Sequence, residues 1–213
     1  MTFRLFGIPV VFESGVLWLA GLYFLLGMRG ADPLVENLAT IVVLFSSILW
    51  HELGHAFTIQ ALGLGPADIT IHGFGGLTRH RGGTPPQELA VSLAGPGAGL
   101  LLGFLALAVA LFAPLSGVAD RVVDTLATVN LFWSMFNLMP VFPMDGGHAL
   151  ARVLQMVAPA LAGPLVFGLG LVGGGGIVLL ALWLSSLGSF SALFLFILGA
   201  QILWLNGKAL FRR

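Results

Sequence analysis

The 213-residue chain contains no cysteine and few charged residues. Without cysteine it cannot form a disulfide, bind a metal through thiolate or use a cysteine nucleophile. Charged residues make up 8% of the chain, against about 25% in a soluble domain, so the chain cannot cover a water-facing surface. Its 9 basic and 9 acidic residues balance, which gives no support to nucleic-acid binding.

Hydrophobic residues account for 58% of the chain, and its mean hydropathy is +1.02. This composition predicts an integral membrane protein whose environment is the lipid bilayer. At about 20 residues per span, the length allows about six transmembrane helices and little else. No cleavable signal peptide is apparent, because charged residues and Pro9 precede the first apolar run. The expected fold class is therefore a mainly α-helical membrane protein.

Apolar runs bounded by polar, glycine or proline residues predict the individual elements. Two segments, Thr2–Glu13 and Ala67–Pro86, are too polar or too broken to span, and their strand-like patterns predict a small membrane-associated β-sheet. A short helix is expected over Asp145–Val157. The glycine run Gly173–Gly176 suggests either close helix packing or a soft hinge. The predicted spans are approximately Gly15–Met28, Asn37–Leu62, Gln87–Ala113, Arg121–Met139, Leu165–Leu184 and Phe190–Leu205.

The distribution of basic residues predicts the orientation in the membrane. Six spans would place both termini on one side, and by the positive-inside rule the side with more basic residues is cytoplasmic. The motif around His55 would then lie about 10–14 Å below the cytoplasmic surface, inside the membrane but nearer the cytoplasm. The expected location is the cell membrane, with several passes. The termini side receives Arg4, Arg79, Arg81, Arg152, Lys208, Arg212 and Arg213, and the other side receives Arg29 and Arg121.

The second predicted span contains the motif H-E-x-x-H, with His51, Glu52 and His55. Positions i and i+4 of a helix share one face about 6 Å apart along the axis, so both histidines can turn a ring nitrogen toward one Zn²⁺. Glu52 can then reach a water on that metal. Ionisable groups in an apolar span are costly without a partner, which favours a functional site. The alternative is a chance match in which both histidines bond to neighbouring backbone.

A hydrolytic zinc site needs a third protein ligand and an open position for water. Glu88 is one candidate, but it follows Pro85 and Pro86 at a helix start, where the helix dipole already favours an acid. Asp145 follows Pro140 and Pro143 in an apolar region, and unwound backbone at membrane depth lines enclosed or wet cavities. The alternative for Asp145 is a helix cap. Other acidic residues and histidines follow His55, namely Asp68, His72, His80, Asp120, Asp124 and His148.

The sequence H-E-L-G-H in an apolar helix, followed by N-L-M-P-V-F-P-M-D-G-G, resembles the site-2 protease family of intramembrane zinc metalloproteases. Each motif alone is moderately specific, and the ordered pair in a multi-span chain is highly specific. The resemblance extends through Phe74-Gly75-Gly76 and Ala94-Gly95-Pro96, and so covers about Thr2–Val157. The two further spans, about 165–205, match only in being apolar and correctly placed.

The resemblance implies one Zn²⁺ per chain, held by His51, His55 and Asp145. It implies that Glu52 is the catalytic base and that Asn137 helps to bind the substrate backbone or the oxyanion. The expected activity is that of a metalloendopeptidase in intramembrane proteolysis. Its expected substrates are membrane proteins with a single transmembrane helix, cut in or near that helix.

The chain is expected to form a single protease domain over residues 1–213. The link Pro114–Asp120 is too short for the PDZ domain that some relatives insert, and nothing follows Arg213 where others carry a paired CBS domain. Two other functions stay open. One is a membrane zinc endopeptidase of the prenyl-protein type, with Glu88 as third ligand. The other is a metal-ion transporter, although a transporter needs no acid beside its first histidine and no internal pseudo-symmetry is visible.

Overall fold

The computed structural model of the protein describes residues 2–27, 33–73, 75–187 and 191–211. The predicted features at Met28, Arg29, Phe74, Phe190, Arg212 and Arg213 lie outside these ranges. The strands are β1 (Thr2–Leu5), β2 (Ile8–Phe12), β3 (Asp68–His72) and β4 (Gly75–Arg79). The helices are α1 (Ser14–Gly27), α2 (Pro33–Ala61), α3 (Pro85–Phe112), α4 (Gly117–Asn137), α5 (Asp145–Val157), α6 (Pro159–Ser186) and α7 (Ser191–Phe211).

The predicted fold class, mainly helical with a small sheet, is confirmed. Within the described ranges, four helical segments are long and apolar enough to cross a membrane, so the chain is a multi-pass membrane protein. The two other predicted spans differ from these. Helix α1 has 14 described residues, about 21 Å, which is shorter than a hydrocarbon core of about 30 Å. Helix α4 carries Asp120, Arg121 and Asp124 near its start. Six spans therefore stay a prediction. The four segments are Leu34–Ala61, Pro85–Phe112, Pro159–Ser186 and Ala192–Phe211.

Several helices, among them three that start on a proline, begin earlier than their apolar content predicts. Helices α2, α3 and α6 each start on a proline, at Pro33, Pro85 and Pro159. Proline suits the first position of a helix because its fixed φ is already helical and the N–H it lacks has no partner there. The predicted bounds followed the apolar runs alone and so began two to six residues too late. Helix α5 has the bounds that the sequence predicts.

The four strands form one sheet in the order β1-β2-β3-β4. The pairs β1–β2 and β3–β4 are antiparallel, and β2–β3 is parallel. One face of the sheet is aliphatic and almost fully buried, with Ile8, Val10, Ile69 and Ile71 at 1% exposure or less. Ile69 pairs with Thr78 and Ile71 pairs with Gly76. Paired residues point to the same side of a sheet, so Gly76 and Thr78 lie on this inner face.

The chain forms two compact units. The first comprises Met1–Gly83 and Leu93–Phe136, and it contains the sheet and α2. The second comprises Thr84–Ser92 and Asn137–Arg213, and it contains α5, α6 and α7. In the second unit α6 and α7 pack closely at Gly174, where a Cβ would lie 3.0 Å from the backbone nitrogen of Leu203. The predicted single domain over residues 1–213 stays a prediction.

Candidate metal centre

Helix α2 places the two motif histidines one turn apart in the first unit. The Nε2 atoms of His51 and His55 are 3.2 Å apart, and their ring centroids are 5.0 Å apart. Two nitrogen ligands of one tetrahedral Zn²⁺, each at about 2.0–2.1 Å, are about 3.3–3.4 Å from each other. The two nitrogens therefore already have the separation that one zinc ion requires. A hydrogen bond from a ring N–H to the other ring nitrogen has a similar length.

The histidine pair and Glu52 form a buried group. His51 is 3% exposed, Glu52 is 5% exposed and His55 is 7% exposed. One potential ligand atom from each residue lies within 4.8 Å of the others, and no other such group of three occurs in the described part of the chain. A buried charge is expensive unless it is paired or bound to a metal. The donor set and the burial together fit a metal ion.

Two glycines make room for this group at α3. A Cβ at Gly95 would overlap the Nε2 atom of His55, so the ring edge that carries Nε2 lies directly against this glycine. A Cβ at Gly54 would lie 2.6 Å from the carbonyl oxygen of Ala94, so Gly54 lets α2 and α3 approach closely. The Ala94-Gly95-Pro96 sequence thus has a direct function at the site. By contrast, Gly97 has nothing within 4 Å of its Cβ position.

Strand β4 holds the side chain of Glu52. The Thr78 hydroxyl Oγ1 donates a hydrogen bond of 2.7 Å to the Oε2 atom of Glu52. A Cβ at Gly76 would lie 2.5 Å from Oε1 of the same carboxylate, so only glycine leaves space for it. Sequence reasoning missed both roles. The signal was present in the strand pattern, because residues two apart on a strand share a face.

Polar contacts also fix α2 against its neighbours near the motif. Trp50 Nε1 donates to the carbonyl oxygen of Ala98 in α3 over 2.9 Å. Asn130 of α4, which is 2% exposed, donates from Nδ2 to Ser47 Oγ over 2.8 Å. Hydrogen bonds between helices that share apolar surroundings have few competing partners. Both bonds are made by residues within one turn before His51, and they limit rotation of α2 about its own axis.

In the second unit, Asp145 is the first residue of α5. The N-cap position belongs to Met144, whose ψ is 158° and whose side chain makes no capping bond. Asp145 therefore lies one position after the N-cap, in the first turn of α5. A Cβ at Gly147 would lie 2.6 Å from the backbone nitrogen of Phe142, and a Cβ at Gly146 would overlap the carbonyl oxygens of Leu138 and Met139. The two glycines after Asp145 let the start of α5 pack directly on the preceding proline-containing turn.

Helix α7 supports the same turn through Asn206. Its Nδ2 group donates to the carbonyl oxygen of Phe142 over 2.6 Å, and the side chain is completely buried. Gly170 of α6 leaves the space that the Asn206 side chain occupies. Sequence reasoning missed this residue because it interpreted the last two spans only as apolar. A single asparagine within an apolar span was the available signal.

Glu88 has a structural partner in the second unit. It lies in the first turn of α3, and its Oε2 is 3.6 Å from Arg152 Nη2 of α5. Asn137 is the last residue of α4 and belongs to the same unit. The structure thus brings together His51, Glu52 and His55 in the first unit, whereas Glu88, Asn137 and Asp145 belong to the second. The ion pair with Arg152 favours a structural role for Glu88.

Comparisons with known proteins give relatives that are named as zinc metalloproteases. No protein-family model matches the chain. A Synechocystis sp. protein assigned to the zinc metalloproteases is 34% identical over 165 residues, which are 72% of this chain and 43% of that protein. A zinc metalloprotease of Methanocaldococcus jannaschii is 29% identical over 153 residues, which are 72% of this chain and 44% of that protein. The chain therefore spans under half the length of these relatives.

A solved structure has the same fold over nearly the whole chain. The site-2 protease from Methanocaldococcus jannaschii superimposes with a TM-score of 0.73 and 23% sequence identity. The match covers 99% of this chain and 94% of the other. The last two helices, α6 and α7, are thus part of the shared fold.

Proposed function

Since the chain belongs to the site-2 protease family of intramembrane zinc metalloproteases, we propose that it is a metalloendopeptidase of membrane protein substrates. It hydrolyses peptide bonds in or near their transmembrane helices. The observation that carries the proposal is the buried group His51, Glu52 and His55 in a helix long enough to span a membrane, with 3.2 Å between the two Nε2 atoms. The proposed cofactor is one Zn²⁺ per chain, with His51, His55 and Asp145 as ligands.

The proposed chemistry assigns a separate task to each side chain. Zinc, when bound, would lower the pKa of its water to about 7 and would also polarise the substrate carbonyl. Glu52 takes the proton from the attacking water and later returns it to the leaving amine. The Asn137 amide donates a hydrogen bond to the substrate carbonyl oxygen, where negative charge develops. Its place at the end of α4, just before the turn that leads to Asp145, supports this assignment.

The proposed substrate is a single transmembrane helix that unwinds locally. A helix keeps its carbonyl groups in i to i−4 hydrogen bonds, so the scissile carbonyl must leave that ladder before attack. Strand β4 is an edge strand and holds Glu52 through Thr78. An opened peptide can pair with this edge as an added strand. The excess of basic residues on the termini side supports cytoplasmic termini and an active site nearer the cytoplasm.

The prenyl-protein type of peptidase, with Glu88 as third ligand, is the weaker alternative. Glu88 is already in an ion pair with Arg152, with 13% of its side chain exposed. Withdrawal of Glu88 to a metal would leave the guanidinium of Arg152 without this partner. In the proposed scheme the third ligand is instead Asp145, which directly follows Met144 and a turn that α7 supports.

The test is cleavage of a model transmembrane peptide by the purified protein in lipid vesicles, with zinc content measured in parallel. We expect Glu52→Gln to keep its zinc and to lose turnover by about 100-fold or more, because the general base is gone. Chelation should stop turnover of the wild type, and added Zn²⁺ should restore it. Normal turnover in Glu52→Gln would contradict the proposal. Metal flux across the vesicle without any cleavage would support the transporter alternative instead.

A further inference from the structure

We infer that Thr78 is a positioning residue that fixes the carboxylate of the catalytic base Glu52, a role that rests on the proposed peptidase function. The distance between Thr78 Oγ1 and Glu52 Oε2 is 2.7 Å, and the same hydroxyl is 3.3 Å from the backbone oxygen of Glu52. The shorter contact is the length of a strong hydrogen bond between a hydroxyl and a carboxylate. The hydroxyl has one proton, and the carboxylate oxygen is the acceptor that this geometry favours.

The surroundings of Thr78 show that its hydroxyl has a specific partner. The inner face of the sheet is otherwise aliphatic, and the cross-strand neighbour of Thr78 is the fully buried Ile69. Valine has the shape of threonine and an equal preference for strands, so packing alone gives no reason for a hydroxyl here. A hydroxyl placed among apolar side chains is unfavourable unless it is hydrogen-bonded. Glu52 supplies the acceptor that offsets this cost.

Strand β4 constrains the carboxylate from two sides. Thr78 holds Oε2, and Gly76 leaves the space that the rest of the Glu52 side chain fills. A glutamate has three side-chain torsions, and these contacts restrict them to one arrangement. One carboxylate oxygen is then engaged, and the other is left to receive the proton of the attacking water. Fixing a general base in this way removes an entropic penalty from the reaction.

The inference couples the base to the sheet edge. Thr78 and Gly76 lie on β4, which has β3 on one side and is the last strand of the sheet. Any peptide that paired with β4 would be held by the strand that also fixes Glu52. The orientation of the Glu52 carboxylate and the register of a bound peptide would therefore be set by the same strand, β4.

The first test compares two substitutions at position 78 in the full-length, zinc-loaded protein in vesicles. Thr78→Val removes the hydroxyl and keeps the shape, and we expect kcat to fall about tenfold to 100-fold, the usual effect of losing a hydrogen bond to a charged group. KM and zinc content should stay within about twofold, because no ligand or substrate contact is removed. Thr78→Ser keeps the hydroxyl and should restore kcat to within about threefold of the wild type.

The matched control is Thr70→Val in the neighbouring strand β3. Thr70 pairs with Leu77, so its side chain lies on the opposite face of the sheet from Thr78. This variant loses a strand hydroxyl without touching Glu52 and should keep the kcat of the wild type. An equal fall in Thr70→Val and Thr78→Val, or no rescue by Thr78→Ser, would overturn the inference. So would loss of zinc from Thr78→Val.

A second test measures the contribution of the Thr78–Glu52 hydrogen bond to stability, without using catalysis. The melting temperatures of the zinc-free wild type, Thr78→Val, Glu52→Ala and the double variant form a double-mutant cycle. We expect the double variant to lose less than the sum of the single losses, because both single changes break the same bond. Additive losses would overturn the inference. If Thr78 and Glu52 are coupled but the wild type cleaves no peptide, the hydrogen bond stands and the peptidase function is rejected. The positioning role of Thr78 in catalysis is then rejected with it.

Discussion

Asn206 donates a hydrogen bond of 2.6 Å from Nδ2 to the carbonyl oxygen of Phe142. Phe142 lies in the turn between α4 and α5, three residues before Asp145. The same Nδ2 group donates to Ile202 within α7 over 2.8 Å. Helix α7, for which the sequence predicts only apolar character, therefore contributes a polar contact to the turn before Asp145, the proposed third ligand.

Replacing Asn206 by leucine should destabilise this turn. Asn206→Leu leaves the Phe142 carbonyl without its side-chain donor, and an unmade buried hydrogen bond costs about 1–3 kcal/mol. We expect a lower melting temperature and a weaker hold on zinc. Gln201→Leu on the same helix is the matched control, because Gln201 is exposed. Equal melting temperatures for the two variants would show that the contact with Phe142 adds nothing to stability.

Space at Gly95 should be essential for metal binding. Gly95→Ala adds a methyl group where the Nε2 atom of His55 lies, so the imidazole must move. We expect zinc affinity to fall by about tenfold or more, the size of effect seen when ligand orientation is disturbed. Gly97→Ala, two residues along the same helix, meets nothing within 4 Å and should bind zinc normally. Zinc titration of both purified variants decides the point, and similar affinities would contradict the geometry at His55.

Zinc content should distinguish the two candidate third ligands. Asp145→Asn keeps the size of the side chain but removes its charge, and we expect it to lose most of its zinc and its activity. Glu88→Gln removes the charge that pairs with Arg152 but, on the proposed scheme, no zinc ligand, and should keep both. Loss of zinc from Glu88→Gln alone would support the prenyl-protein type of peptidase.

The glycine run in α6 should act through packing at Gly174 but not at Gly175. A Cβ at Gly174 would lie 3.0 Å from Ile202 Cγ2 and 3.1 Å from the carbonyl oxygen of Gly199, whereas Gly175 has open space. Gly174→Ala should lower the melting temperature because α6 and α7 must separate. Gly175→Ala should be neutral or stabilising by up to about 1 kcal/mol, from helix propensity.

The hinge interpretation of the same run gives a different result. If α6 bends at Gly174 and Gly175, both alanine variants should slow cleavage of a full transmembrane substrate. Cleavage of a short peptide that is already unwound should then change much less. Stability loss confined to Gly174→Ala, with no selectivity between the two substrates, would leave packing as the function of the run.

The local features of the fold and site were predictable from sequence. The spacing of His51 and His55 predicts their common helix face, and the relatives confirm the family resemblance that the ordered motifs suggest. Helix α5 begins at Asp145 as predicted, directly after the proline-containing turn. These conclusions depend on residues a few positions apart, where geometry follows directly from the chain.

The contacts that hold the site could not be predicted in the same way. Thr78 reaches Glu52 across 26 positions, and Asn206 reaches Phe142 across 64. Nothing in the local pattern of either residue names its partner, since the partner is set by how helices and strands pack. The prediction of six spans has the same basis in local pattern. Apolar content alone predicts a span at α4, but its first turns carry three charged residues.

The division into two units also has a consequence for how the protein is made. All residues of the first unit, including His51, Glu52 and His55, precede Asn137 in the chain. Of the residues before Asn137, only Thr84–Ser92 belong to the second unit. A ribosome therefore delivers His51, Glu52 and His55 to the membrane before it has synthesised Asp145. On the proposed ligand set, the unfinished polypeptide has two ligands and no competent centre. Translation order alone would keep the nascent enzyme from cutting its neighbours in the membrane until the last ligand has been added.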